Sequence, residues 1–153
     1  MFLAGCTRHP NSAWITQQAR QLTWQLQDQD QDPSKRFLIH DRDTKLTASF
    51  EAVFASEGIE TVLTPFRAPN TNAIAERWIR SVCVECLDQL LILNETHLRR
   101  VLREYVDYYN RARPHQGLHQ QAPIPFRPSL HHGPVYCRDV LGGIIHDYWR
   151  QAA

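Results

Sequence analysis

"FLIHDRDTKL", residues 37 to 46, decides how this chain is read, because an apolar run stops there in charge. Phe37, Leu38 and Ile39 are followed at once by His40, Asp41, Arg42 and Asp43. Upstream, the polar stretch "QDQDQDPSK" closes with Pro33, so residues 36 to 40 are predicted to be a short buried strand. Asp41 would then stand at the carboxyl end of that strand, where open α/β sheets gather their ligands. Two roles suit a carboxylate there. It can shape a turn, or it can bind a hard divalent cation such as Mg²⁺, which takes carboxylate oxygens and keeps several waters. Spacing alone leaves both open.

Outward from this point the pattern alternates. "MFLAG" reads as the tail of a strand. "NSAWITQQARQLTWQL" offers a cap in Asn11 or Ser12 and apolar residues at 15, 19, 22 and 26, the spacing of a one-sided helix. Past Asp41, Thr47 can cap a second helix with Phe50, Val53 and Phe54 inward, stopped by Gly58. "IETVL" is a further short strand, ended by Pro65. The loop "TPFRAPNTN" leads into a long helix whose Ile74, Trp78, Val82, Cys86 and Leu90 recur every four residues, with Ala75, Ile79 and Cys83 beside them. Asn94 and Glu95 start another helix, with Leu98, Val101, Leu102, Tyr105 and Tyr109 inward. The prolines of "RARPHQGLHQQAPIPFRP" forbid regular helix, and short strands are expected around Gly142-Gly143. Strands alternating with helices argue for an α/β layer fold with parallel neighbours. Two short strands and a remnant make a thin sheet for it.

The composition narrows the class without naming it. At 153 residues the chain is long enough for one domain with a real core. Its net charge of +1 gives no whole-molecule signature of a nucleic-acid binder. Arg99, Arg100, Arg103, Arg111 and Arg113 nonetheless form a local basic stretch offset only by Glu104 and Asp107, either a phosphate-binding face or a solvated helix surface. No apolar run reaches a membrane span and the first residues lack a signal-peptide pattern, so a cytoplasmic location with reduced cysteines is expected. Cys83 and Cys86 form C-x-x-C, but they sit on the apolar helix stripe with no second pair at zinc-ribbon spacing, which reads as buried helix cysteines. The eight histidines show no nucleophilic or metal constellation along the chain. His40, beside Asp41, reads as a strand-end histidine with solvent access.

Glu76 is the second acid of interest. In the first turns of the long helix it can favour the helix N-terminus and pair with Arg80. Taken with its surroundings it says more. "LIHDRDTKLTASF…GIETVLTPFRAPNTNAIAERWIRS" resembles the second half of the catalytic core of DDE transposases and retroviral-type integrases. Members carry a strand ending in Asp, a "GI" strand, a Pro/Asn-rich loop and a helix bearing Glu. Between Asp41 and Glu76 lie 34 residues, close to the family's usual interval. "YNRARPHQGLHQQAPI" resembles the segment that closes many insertion-sequence transposases, and "DVLGGIIHDY" is similar to the C-terminal end of a subset of integrase-like proteins.

The resemblance implies an RNase H-like α/β fold that cuts and joins DNA with two Mg²⁺ (or Mn²⁺) ions held by three carboxylates. Asp41 would be the second Asp and Glu76 the third acid. Asp43 would be a turn residue or a support, and Asn70, Asn72, Arg77 and Arg80 would lie where DNA is contacted. The family's first Asp has no counterpart, since the only acids before Asp41 are Asp28, Asp30 and Asp32 of the polar loop. The expectation is an incomplete RNase H-like fold lacking its first two strands. Its core-like domain would span residues 1–122, and an irregular C-terminal tail residues 123–153. Metal binding and strand cleavage would be impaired, apolar surface would be left exposed, and the partners would be DNA and a second copy or an intact transposase. The alternative from another class is a non-catalytic nucleic-acid-binding or transposase-interacting fragment. A nuclease of the same fold that does not join strands is a further variant.

Overall fold

The computed structural model describes residues 1–29, 36–65, 73–124 and 132–150. The chain divides into two compact units, Ala4–Trp78 in one and Met1–Leu3 with Ile79–Ala153 in the other.

In the first unit, α1 (Ser12–Gln29) precedes a β-α-β unit of β1 (Arg36–His40), α2 (Ala48–Ala55) and β2 (Ile59–Leu63). Asn11 starts α1 as expected, its side chain accepting a hydrogen bond from the Trp14 N–H at 2.8 Å. Thr47 occupies the cap position of α2 with extended backbone but makes no side-chain cap bond. Gly58 ends the turn after α2 at φ +69, a conformation open to glycine at little cost. The two strands pair in parallel, Arg36 beside Ile59 through His40 beside Leu63. Phe50, Phe54, Ile59 and Ala19 form the core, and Ile15, Leu22, Leu38 and Val53 pack against it. One face of the sheet is thereby covered.

The other face is not. Residues paired in register share a face, so Phe37 with Glu60 and Ile39 with Val62 point away from the core. Phe37 and Ile39 are 56% and 55% exposed. The strand expected to be buried is buried on one side alone, and the "MFLAG" stretch forms no strand. Parallel sheets normally have both faces covered, whereas here the exposed apolar surface includes a sheet face as well as helix positions such as Ile74 and Ile79.

The long helix, whose residues fall in both units, is shorter than its periodicity suggested. α3 (Ala73–Glu85) ends before Cys86, whose φ of −129 and ψ of −67 leave the helix, and a 3-10 turn follows at Leu87–Gln89. Val82 and Cys86 are buried, whereas Ile74 and Ile79, expected to face inward, are 76% and 56% exposed. α4 (Glu95–Arg111) is capped by Asn94, whose side chain accepts from the His97 N–H at 2.8 Å. It buries Val101, Tyr105, Tyr109 and Asn110. Asn110 Nδ2 donates to the Met1 carbonyl at 2.7 Å, tying the first residues to α4.

Glu85, the last residue of α3, is the polar centre of the second unit. It accepts from the Tyr105 hydroxyl at 2.7 Å and from Arg113 through both of its oxygens. The Arg113 bond holds the Glu85 carboxyl below its ordinary 4.5. Burial, with the bond to Glu85, pushes the Tyr105 phenol upward. Tyr105 is fully buried, so its hydroxyl needs a partner, and Glu85 supplies one.

The tail expected to be irregular is an antiparallel hairpin, β3 (Val135–Val140) and β4 (Ile145–Arg150). Gly142 and Gly143, at φ +68 and +97, make the reversal where the sequence placed it. The hairpin is fastened to α4, with the Leu141 N–H donating to Glu104 at 2.6 Å.

Two outcomes follow. Replacing Phe37 and Ile39 by Thr should reduce light scattering on heating while changing unfolding free energy by no more than about 0.5 kcal/mol per site, the usual range for surface changes. Glu85→Gln should cost about 1–2 kcal/mol at neutral pH, allowing for partial screening. A depressed carboxylate stabilises above its unfolded value and loses that contribution as pH falls through its folded value. The native chain should therefore lose denaturation midpoint as pH drops below 4.5, with a shallower fall in Glu85→Gln.

Candidate functional site

Asp41 lies immediately after β1, at the carboxyl end of a parallel strand, and is exposed. Its Oδ1 accepts the Asp43 N–H at 3.1 Å, so the turn role is real. A carboxylate offers about four lone-pair directions, and one backbone bond leaves room for a cation. Asp43 is engaged differently. Its Oδ1 accepts the Lys45 N–H at 2.9 Å and its Oδ2 meets the Lys45 ammonium at 3.2 Å. Those bonds hold the Asp43 carboxyl below its ordinary 3.8. Both of its oxygens are occupied by the turn.

His40 differs from expectation. It is 8% exposed rather than open to solvent, with its ring edge-on to Phe50 at 5.7 Å. The alternation of β1 turns it inward with Leu38. Its Nδ1 sits 2.8 Å from the Asp41 carbonyl oxygen. Its Nε2 is 3.7 Å from Glu51 Oε1, too far for a hydrogen bond, and has no hydrogen-bond partner among the described residues. The ring thus braces the backbone from which Asp41 projects.

Glu76 sits in the first turn of α3 and is exposed, as are Arg77 and Arg80. Among the described residues Glu76 and Arg80 form no ion pair. Asn70 and Asn72 lie outside the described residues. Asp41 and Glu76 belong to the same compact unit. Both present carboxylate oxygens to solvent, the donor type that Mg²⁺ and Mn²⁺ prefer.

The arginine stretch is less basic than it reads. Arg99 pairs with Glu95 at 2.7 Å, Arg111 with Asp107 at 2.9 Å, and Arg113 with Glu85. Helical spacing supplies the first two partners and chain folding the third. Arg100 and Arg103 remain exposed. The C-x-x-C pair behaves as expected of packed cysteines. Cys86 is fully buried and Cys83 half-buried, and burial, with Glu104 nearby, pushes the Cys86 thiol up to about 11. A thiol so placed is a poor nucleophile and metal ligand.

One acid thus stands at the carboxyl end of a parallel strand and a second on the first turn of a following helix of this α/β chain. Residues 57–123 match the family model described as an integrase core domain. The match runs from the end of α2 past α4 and supports an integrase/transposase catalytic core. Glu76 falls inside the matched residues and Asp41 before them. No curated protein and no solved structure matches the chain. Domains of this family bind DNA and generally use divalent metal ions. Among the described residues no helix is long and apolar enough to cross a membrane.

The thiols give a direct check on burial. Alkylation of the folded chain at neutral pH should label the exposed Cys137 readily and leave Cys86 unmodified until denaturant is added, as read by mass spectrometry of the digested protein.

Proposed function

We propose that this chain is an integrase/transposase-type protein of DNA recombination, in which Asp41 and Glu76 provide two of the carboxylates of a divalent metal site. The observation that carries the reading is the position of Glu76, on the first turn of α3 and within the integrase-core match. Asp41 at the end of β1 agrees with it. Asp41 and Glu76 would hold the divalent ions, which when bound would supply charge neutralisation at a phosphodiester and a more reactive attacking oxygen.

The chain's own residues do the positioning. The Asp43 N–H orients the Asp41 carboxylate. Packing of His40 against Phe50 holds the end of β1. Arg77 and Arg80 follow Glu76 on α3 and contact the DNA backbone, joined by Asn70 and Asn72 upstream in the sequence. A second copy or an intact transposase is the protein partner.

The test is Mn²⁺ titration of the full chain, followed by paramagnetic broadening of its backbone amide signals. Broadening centred jointly on residues near Asp41 and Glu76, lost in Asp41→Asn and in Glu76→Gln, is the expected result. Broadening confined to one acid, or unchanged in either variant, overturns the shared site. Plasmid nicking that needs Mg²⁺ and is abolished by Asp41→Ala and by Glu76→Gln would add strand cleavage to the shared site. DNA affinity that falls steeply with salt, with no metal bound, would point instead to a non-catalytic binding fragment.

A further inference from the structure

The outward face of the C-terminal hairpin carries an unusual set of side chains. In an antiparallel pair, residues directly opposite share a face, and so do residues two apart on one strand. The register sets Cys137 opposite Tyr148 and Asp139 opposite His146. All four therefore lie on one face, and all four are exposed. The other face is the structural one. It carries the stacked pair Tyr136 and Trp149, the buried Val140, and the buried Asp147 with Arg138 at 3.3 Å. The core makes no demand on the outward face, and a merely solvated strand would be satisfied by Thr, Lys or Glu there.

Ligand atoms of Cys137, Asp139 and His146 all lie within 4.8 Å of one another. His146 Nδ1 is 2.8 Å from Asp139 Oδ1. Zn²⁺ holds thiolate sulfur at about 2.3 Å and imidazole nitrogen at about 2.0–2.1 Å, which places neighbouring tetrahedral ligands about 3.5 Å apart. Side-chain rotations of about 1 Å would bring the three to that spacing. The backbone beneath them is fixed by the glycine turn and by the Leu141 bond to Glu104. Tyr148 stands directly opposite Cys137 in the register and on the same face, where an outer group could orient a metal's ligand.

We propose that this face is a zinc-type site, with Cys137, Asp139 and His146 as ligands and a fourth position open to water or an exogenous ligand. A sulfur, nitrogen and oxygen set suits Zn²⁺ and disfavours Mg²⁺ or Ca²⁺, which prefer oxygen alone. It shares no residue with the Asp41 and Glu76 pair and does not depend on the function proposed for them. Binding displaces the thiol proton, and any proton on the ligating imidazole nitrogen, into solvent. Affinity consequently rises with pH.

Cobalt substitution tests the site on the full, reduced chain. Co²⁺ alone should produce a thiolate-to-cobalt charge-transfer band that saturates at one equivalent and is displaced by Zn²⁺. Cys137→Ser should abolish the band. Asp139→Asn and His146→Ala should each weaken Co²⁺ binding at least about tenfold, whereas Cys6→Ser and Cys83→Ser leave it unchanged. Addition of Zn²⁺ should shift amide signals of residues 135–150, a readout needing no variant. No band in the native chain, a band that survives Cys137→Ser, or Zn²⁺ shifts centred outside the hairpin would each overturn the site.

Discussion

A parallel strand pair cannot be closed by a tight turn, and that constraint organises the N-terminal unit. The chain leaving β1 at His40 must travel back along the sheet before β2 can begin beside Arg36, and α2 is the element that makes the journey. Because α2 returns over one face, Phe50 and Phe54 are pressed against Ile59 and Leu38, and α1 closes the same side with Ala19, Ile15 and Leu22. The crossover also places the end of β1 at the edge of the packed region. Asp41 is exposed there while His40, one residue earlier, is buried against Phe50. The acid's position is a by-product of the crossover, and its orientation comes from the turn with Asp43.

The C-terminal unit rests on a different interaction. The buried Tyr105 hydroxyl needs a hydrogen-bond acceptor, and Glu85 provides one from the end of α3. Glu85 then needs a cation, which Arg113 supplies from beyond α4 while stacking over Tyr109 at 5.3 Å. One carboxylate thus joins α3, α4 and the segment after α4. The same network removes Arg113 from the basic face that the sequence displays. With Arg99 and Arg111 also paired, the exposed positive charge of α4 is left to Arg100 and Arg103. Surface ion pairs of this kind add little stability, but they do redistribute charge.

The hairpin shows how a division of labour between faces frees residues for chemistry. Val140, Leu141 and Asp147 anchor it, and the remaining side is left to Cys137, Asp139, His146 and Tyr148. In the sequence these residues are separated by up to eleven positions and fit no metal-ligand spacing, which is why no histidine constellation was visible there.

The sequence by itself determined the elements and the acids. Local periodicity, the Asn11 and Asn94 caps, and the breakers Gly58 and Pro65 mark α1, β1, α2, β2 and α4 because those signals act within a turn or two of chain. The strand-end Asp41 and helix-borne Glu76, with the motifs around them, were legible for the same reason. Tertiary structure decided what covers each face. Periodicity records that Ile74, Ile79, Phe37 and Ile39 are apolar, not whether a partner layer meets them, and all four are exposed. It also decided which charges cancel and that Cys137, Asp139 and His146 meet, because pairing between distant positions depends on register and packing, which no local signal encodes.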